Sequence, residues 1–201
     1  MRWILGLTAL AGISMGLMGT SLAAAEVVGA PLTVRVYDAA GVSKAALATA
    51  LDVAADALGP AKVDVTWIRC EASGPARCGR PLAGAEVIVR LVRLPASSGP
   101  ATDEALGTAL VDPGTGTGVL ATVYIDRVER LAHAGGSDLG TLVGRAMAHE
   151  IGHLLLGRTT HGAHGLMRPR WTRAEVARNA AADWGFAAPE LSAIRARRDR
   201  F

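Results

Sequence analysis

The stretch from Leu139 to Leu156 constrains the fold of this chain more than any other. Ser137 and Asp138 in front of it can each cap a helix N-terminus, and Gly157 behind it suits a helix C-terminus. Between them Leu139, Val143, Met147, Ile151 and Leu154 form an apolar stripe, which predicts a long helix packed on a sheet. Leu142, Ala146, His149 and His153 recur at three- and four-residue steps, so the histidines share a buried face. Glu150 projects about 100° around the helix from His149. Two imidazoles and a carboxylate in apolar surroundings are costly unless something binds them.

The arrangement His149-Glu150-Ile151-Gly152-His153 names that something. Histidines four residues apart lie one turn apart on one face, so both can reach a single ion, zinc above all. The glutamate beside them is placed to hold a water and take its proton. A catalytic zinc needs a third protein ligand and one open position. Candidates lie just downstream, in Gly157-Arg158-Thr159-Thr160-His161-Gly162-Ala163-His164. His161 is the favoured third ligand, since the chain can return to the ion after Gly157. His164 and, further on, Glu175 are its rivals, although Glu175 also fits the first turn of a helix capped by Thr172.

Around this helix the sequence predicts an α/β (α+β) domain with a mixed sheet of four to five strands. Thr33 to Asp38 alternates as a half-buried strand, and Ser43 caps a helix over Lys44 to Leu58 that ends at Gly59-Pro60. Further strands are expected at Val63 to Ile68, Glu86 to Val92, Ala105 to Val111 and Leu120 to Asp126. Pro95 to Pro100 reads as a loop, and Asp112 to Gly118 as a hairpin turn. A phosphate loop would need a Lys-Ser/Thr pair and a following helix, which that turn lacks. A short helix over Arg127 to Ala134 ends at Gly135-Gly136, and C-terminal helices are expected over Thr172 to Asp183 and Pro189 to Arg200.

The first residues read as a targeting segment. Met1-Arg2, the apolar run Trp3 to Met18 and the small residues ending in Ala23-Ala24-Ala25 make a signal peptide over residues 1–25. The domain then spans 26–201, with no stable membrane anchor after cleavage and a secreted or periplasmic location. Export suits a disulfide between the two cysteines, Cys70 and Cys78, which would staple a Gly/Pro-containing loop. The net charge of +3 is small, and the arginines at 195, 197, 198 and 200 read as the solvated face of a last helix. With few, scattered aromatics, the chain shows no nucleic-acid platform.

The stretch Ala148 to Met167 resembles the metzincin group of zinc peptidases, with HExxH, a helix-ending glycine, a third histidine and then a methionine. It is also similar to small exported bacterial proteins classed with metallopeptidases. The resemblance implies a zincin fold with a backing helix, an edge strand ahead of the active-site helix, and Met167 as a floor beneath the ligands. The spacing departs from the group: Gly157 follows His153 by four residues and His161 follows it by eight, where metzincins have three and six. No tyrosine follows Met167 as an oxyanion donor.

The expected function is therefore that of an exported zinc metalloendopeptidase acting on peptides or proteins. His149, His153 and His161 would hold Zn2+, and Glu150 would be the general base. The substrate would lie along an edge strand near Leu110 or Thr122. The competing expectation is a non-catalytic exported zinc-binding or scaffold protein whose closed site takes His164 as a fourth ligand. Serine and cysteine hydrolases drop out, since no nucleophile elbow or activated cysteine is present.

Overall fold

The computed structural model describes residues 31–71, 74–94 and 105–197. Strand β1 (Leu32–Asp38) leads into helix α1 (Lys44–Leu58), capped by the Ser43 side chain, which accepts from the Ala46 N–H. Then come β2 (Val65–Arg69), β3 (Glu86–Val92), β4 (Gly107–Asp112) and β5 (Thr117–Tyr124). Helices α2 (Ile125–Gly135), α3 (Leu139–Leu156), α4 (Arg173–Arg178) and α5 (Ala188–Arg197) complete the order. The signal-peptide reading of residues 1–25, the Pro95 to Pro100 loop and the last arginines lie outside the described residues. No helix among the described residues is long and apolar enough to cross a membrane.

The sheet is mixed, in the order β2-β1-β3-β5-β4. β1, β2, β3 and β5 run parallel, while β4 pairs antiparallel with β5 and forms one edge. The β4–β5 connection is the expected hairpin: the Asp112 carboxylate accepts from the Gly114 N–H at 2.7 Å and the Asp112 carbonyl from the Gly116 N–H at 2.8 Å. Gly116 there has a φ of +64°, a conformation glycine adopts without strain. Thr122 lies on the inner strand β5 and is buried, so only β4 presents the unpaired edge expected near Leu110 or Thr122.

Helix α3 is buried on nearly every side, not on one stripe. One face packs on β5 and β4, and another crosses α1. The crossing is close because Gly140 and Gly144 face α1. A Cβ at Gly140 would meet the Ala46 carbonyl oxygen at 2.6 Å, and one at Gly144 the Ala50 carbonyl oxygen at 2.5 Å. Leu142, Met147, Ile151 and Leu154 are fully buried, each contributing about 1.5–3 kcal/mol of apolar transfer energy. The helix is thus a fixed mount.

On the other sheet face, part of the chain between β2 and β3 packs over β1. Cys70 and Cys78 form the expected disulfide, with a Cα–Cα distance of 5.6 Å. Tyr37 donates to the Cys78 carbonyl at 2.8 Å. Buried Arg35 pairs with Glu86 and donates to the Arg80 carbonyl at 2.6 Å, and Arg77 reaches the same carboxylate. A buried ion pair holds only when both partners are further hydrogen-bonded, as they are here.

Several boundaries differ from the sequence reading. Ile125 and Asp126 belong to α2 and not to β5, because the Asp126 carboxylate accepts from the Leu94 N–H across the sheet end. The helix expected over Thr172 to Asp183 stops at Arg178, where Asn179 turns into the left-handed region at φ +48°.

Candidate metal and catalytic site

Both ends of α3 are built by its own sequence. The Asp138 carboxylate accepts from the Thr141 N–H at 2.8 Å. At the far end Gly157 has a φ of +62° and its N–H reaches back to the His153 and Leu154 carbonyls. The chain thereby leaves the helix turning back across its own last turn. Gly152, inside the motif, faces Phe186 and Met167: a Cβ there would meet the Phe186 ring at 2.7 Å and the Met167 sulfur at 2.8 Å. Met167 is fully buried, with its sulfur against this turn of α3 at Gly152.

His149, His153 and His161 converge, their ligand atoms all within 4.8 Å of one another. The Nε2 atoms of His149 and His153 are 3.1 Å apart, and those of His153 and His161 3.3 Å apart. Tetrahedral zinc at about 2.0–2.1 Å from each imidazole would set its ligands about 3.3 Å apart. The opposite ring atoms give the decisive detail. His149 Nδ1 lies 2.8 Å from the Leu166 carbonyl oxygen, and His153 Nδ1 lies 2.9 Å from the Arg158 carbonyl oxygen. A carbonyl only accepts, so both Nδ1 atoms carry the proton and donate it. Both Nε2 atoms of the neutral rings are then bare lone pairs pointed at each other. A cation between them turns that repulsion into ligation, with the carbonyls fixing ring orientation.

Burial keeps these rings neutral. It lowers the pKa of His149 to about 3 and of His153 to about 4, and it lowers that of His161 as well. Neighbouring histidines and, for His149, the Arg168 guanidinium act in the same direction. Glu150, 5% exposed, is pushed up to about 8 by burial. It is accommodated by Gly107 at the start of β4, where a Cβ would meet the Glu150 carboxylate oxygen at 2.6 Å.

These shifts give the metal-free protein a defined pH profile. Between the folded and ordinary histidine values, up to about pH 6.5, the unfolded chain binds protons that His149 and His153 refuse, so stability falls as pH drops. For Glu150 the folded state binds the extra proton between its ordinary value and about 8, so that contribution fades as pH rises. The melting temperature in chelator is expected to peak near pH 6–7. The decline above the peak should disappear in Glu150→Gln; its persistence there would assign it to another group.

The other candidates stand apart. His164 is exposed and outside the cluster. Glu175 accepts from the Thr172 N–H at 2.7 Å and hydroxyl at 2.8 Å in a capping box, so its carboxylate serves α4. The longer spacing after His153 is absorbed by one more helical residue before Gly157 and by a return without regular secondary structure from Arg158 to His161.

Three residues in the site escaped the sequence reading. Gly107 looked like any strand residue, and only its contact with Glu150 reveals its role. Trp171, read as core, lines the cleft and meets the His149 ring edge-on at 5.7 Å. Arg168 is buried beside it, donating to the Gly165 carbonyl at 2.9 Å and the Asp183 carbonyl at 2.8 Å, which holds the turn around Met167. The proximity of both to Met167 in sequence was the available signal.

No protein-family model matches the chain, and no curated protein is similar to it in sequence. Solved structures are similar in fold. Archaemetzincin from Methanopyrus kandleri aligns with a TM-score of 0.52 at 15% identity, covering 85% of this chain and 97% of that one. A zinc-dependent peptidase from Methanocorpusculum labreanum aligns with a TM-score of 0.51 at 15% identity, covering 80% and 99%. The chain has a zincin-like fold. Within it, the α3 histidines and the edge strand β4 frame one cleft, lined by Leu106, Gly107, His149, Glu150, His161 and Trp171 among others.

Proposed function

We propose that this protein is a zinc-dependent peptidase, with His149, His153 and His161 as the metal ligands and Glu150 as general base. The observation that carries the reading is the convergence of imidazole Nε2 atoms, two of them bare because their Nδ1 protons are given to main-chain carbonyls. The names of both similar structures, a metzincin and a zinc-dependent peptidase, support zinc as the ion.

Zinc, when bound, supplies Lewis acidity toward a peptide carbonyl and acidifies water. The chain's own residues do the rest. Glu150 takes a proton from the attacking water and delivers it to the leaving amine, so that water is added across the C–N bond. A bound cation beside Glu150 would oppose the desolvation that raises its pKa and favour the carboxylate. The free edge of β4 offers backbone groups to an extended substrate, and the Ala105 to Ala109 strip is the part that lines the cleft. His164 lies away from the cluster, which removes support for a closed, four-ligand structural site.

We further propose that residues 1–25 direct export and that the chain works as a single domain over 26–201 in an oxidising compartment, a reading the Cys70–Cys78 disulfide supports. The test of the activity is reconstitution. Chelated protein should regain hydrolysis of an unstructured protein substrate on addition of one zinc per chain. A chain that binds one zinc and cleaves no member of a broad peptide set would sink the proposal.

A further inference from the structure

Helix α5 packs against α3, and two of its charged side chains end on the loop that returns His161 to the cluster. Ile194, 1% exposed, sets α5 into the core, and Arg195 donates to the Pro60 carbonyl. Arg197, on the last turn, donates from Nε to the Leu155 carbonyl at 3.2 Å and from Nη2 to the Gly116 carbonyl. The last carbonyls of a helix have no partner within it, and a cation there suits the negative end of the helix dipole. The same guanidinium lies against Gly157, where a Cβ would run into it and into the Gly116 carbonyl oxygen. At the other end of α5, buried Glu190 accepts from the Ala187 N–H at 2.7 Å with one carboxylate oxygen. Its second oxygen lies against Gly162, where a Cβ would meet it at 2.6 Å.

Those two glycines bound the ligand loop. Arg158, directly after Gly157, gives its carbonyl to His153 Nδ1, and His161 directly precedes Gly162. The Arg158 N–H donates to the His153 carbonyl at 3.3 Å and the Gly162 N–H to the Met167 carbonyl at 2.8 Å. We propose that Arg197 is a positioning residue for the metal site: by fixing the exit of α3 at Gly157, it sets where the Arg158 carbonyl and the His161 ring stand. The inference rests on the zinc-site reading and adds to it a residue far downstream of the motif. Because Arg197 also holds the Gly116 carbonyl, one side chain couples the ligand loop to the hairpin that carries edge strand β4.

The experiment uses the full chain with Arg197→Gln, with Arg195→Ala as a control on the same helix and His161→Ala as a reference. Zinc affinity is read by chelator competition, and ligand geometry by the visible spectrum of the cobalt(II)-loaded protein. Arg197→Gln should bind zinc about 10–100-fold more weakly, as loss of an outer partner of a metal ligand does. Its cobalt spectrum should move from that of the parent toward that of His161→Ala. Arg195→Ala should keep the parental affinity and spectrum. A merely structural role for Arg197 lowers the melting temperature and leaves affinity and spectrum unchanged, and that result would overturn the inference. An equal loss of affinity in Arg195→Ala would also overturn it, since loosening of α5 as a whole would then explain the effect. If Arg197→Gln does not fold, Arg197→Lys carries the test. It keeps the charge as a single point donor, so zinc should bind about fivefold or more weakly, and parental affinity overturns the inference. If the parent binds no zinc, the metal reading falls, and amide exchange in the metal-free proteins decides. Faster exchange at Arg158 and Gly162 in the Arg197 variant than in Arg195→Ala supports the positioning role, and equal rates overturn it.

Discussion

Glu150→Gln is expected to leave zinc bound at one ion per chain and to lower turnover about 10²–10⁴-fold. The amide keeps the shape of the side chain in its pocket against Gly107, so packing is conserved while the proton acceptor is lost. The burial that pushes Glu150 to about 8 in the metal-free protein penalises the charged carboxylate, a penalty that the uncharged amide does not carry. The variant should therefore melt no lower than the parent. Metal content by mass spectrometry and initial rates on a peptide substrate check both halves. Near-parental activity in this variant would remove Glu150 from the mechanism.

The second large effect concerns the third ligand. His161→Ala should weaken zinc binding by more than the about 10–100-fold that loss of an outer hydrogen-bond partner causes, with activity lost in proportion. His164→Ala, three residues on, should retain both zinc and activity, since its side chain is exposed and outside the cluster. The pair of variants is best read by competition with a chelator of known affinity. Zinc loss in His164→Ala with retention in His161→Ala would reassign the ligand.

Much of this site was legible from local patterns. The α3 boundaries follow from Asp138 and Gly157, both of which act through backbone groups within a few residues. The α1 helix and the β3 strand fall where periodicity puts them, for the same reason. The pairing of Cys70 with Cys78 follows from composition alone. The return of His161 was harder to read, because one more helical residue rotates the exit direction by about 100° and the spacing no longer matches the metzincin pattern. Only the loop's path through space shows that the added residue in the turn compensates. Gly107 was illegible because its partner, Glu150, is distant in sequence. The edge strand was assigned two candidate residues because strand order is a property of long-range pairing, and the pairing puts Thr122 inside.

The histidines of α3 are oriented by the carbonyls of Leu166 and Arg158, not by side chains. Every amino acid supplies a main-chain carbonyl, so no single substitution at those two positions deletes the acceptor. Exposed Arg158 is free to drift in sequence, and position 166 answers only to the volume of the core around it. The orientation of these histidines is thereby insulated from mutation in their surroundings. A chain built this way can diverge far in sequence and keep the same tautomers, and a search for invariant polar neighbours of its histidines would find none at these positions.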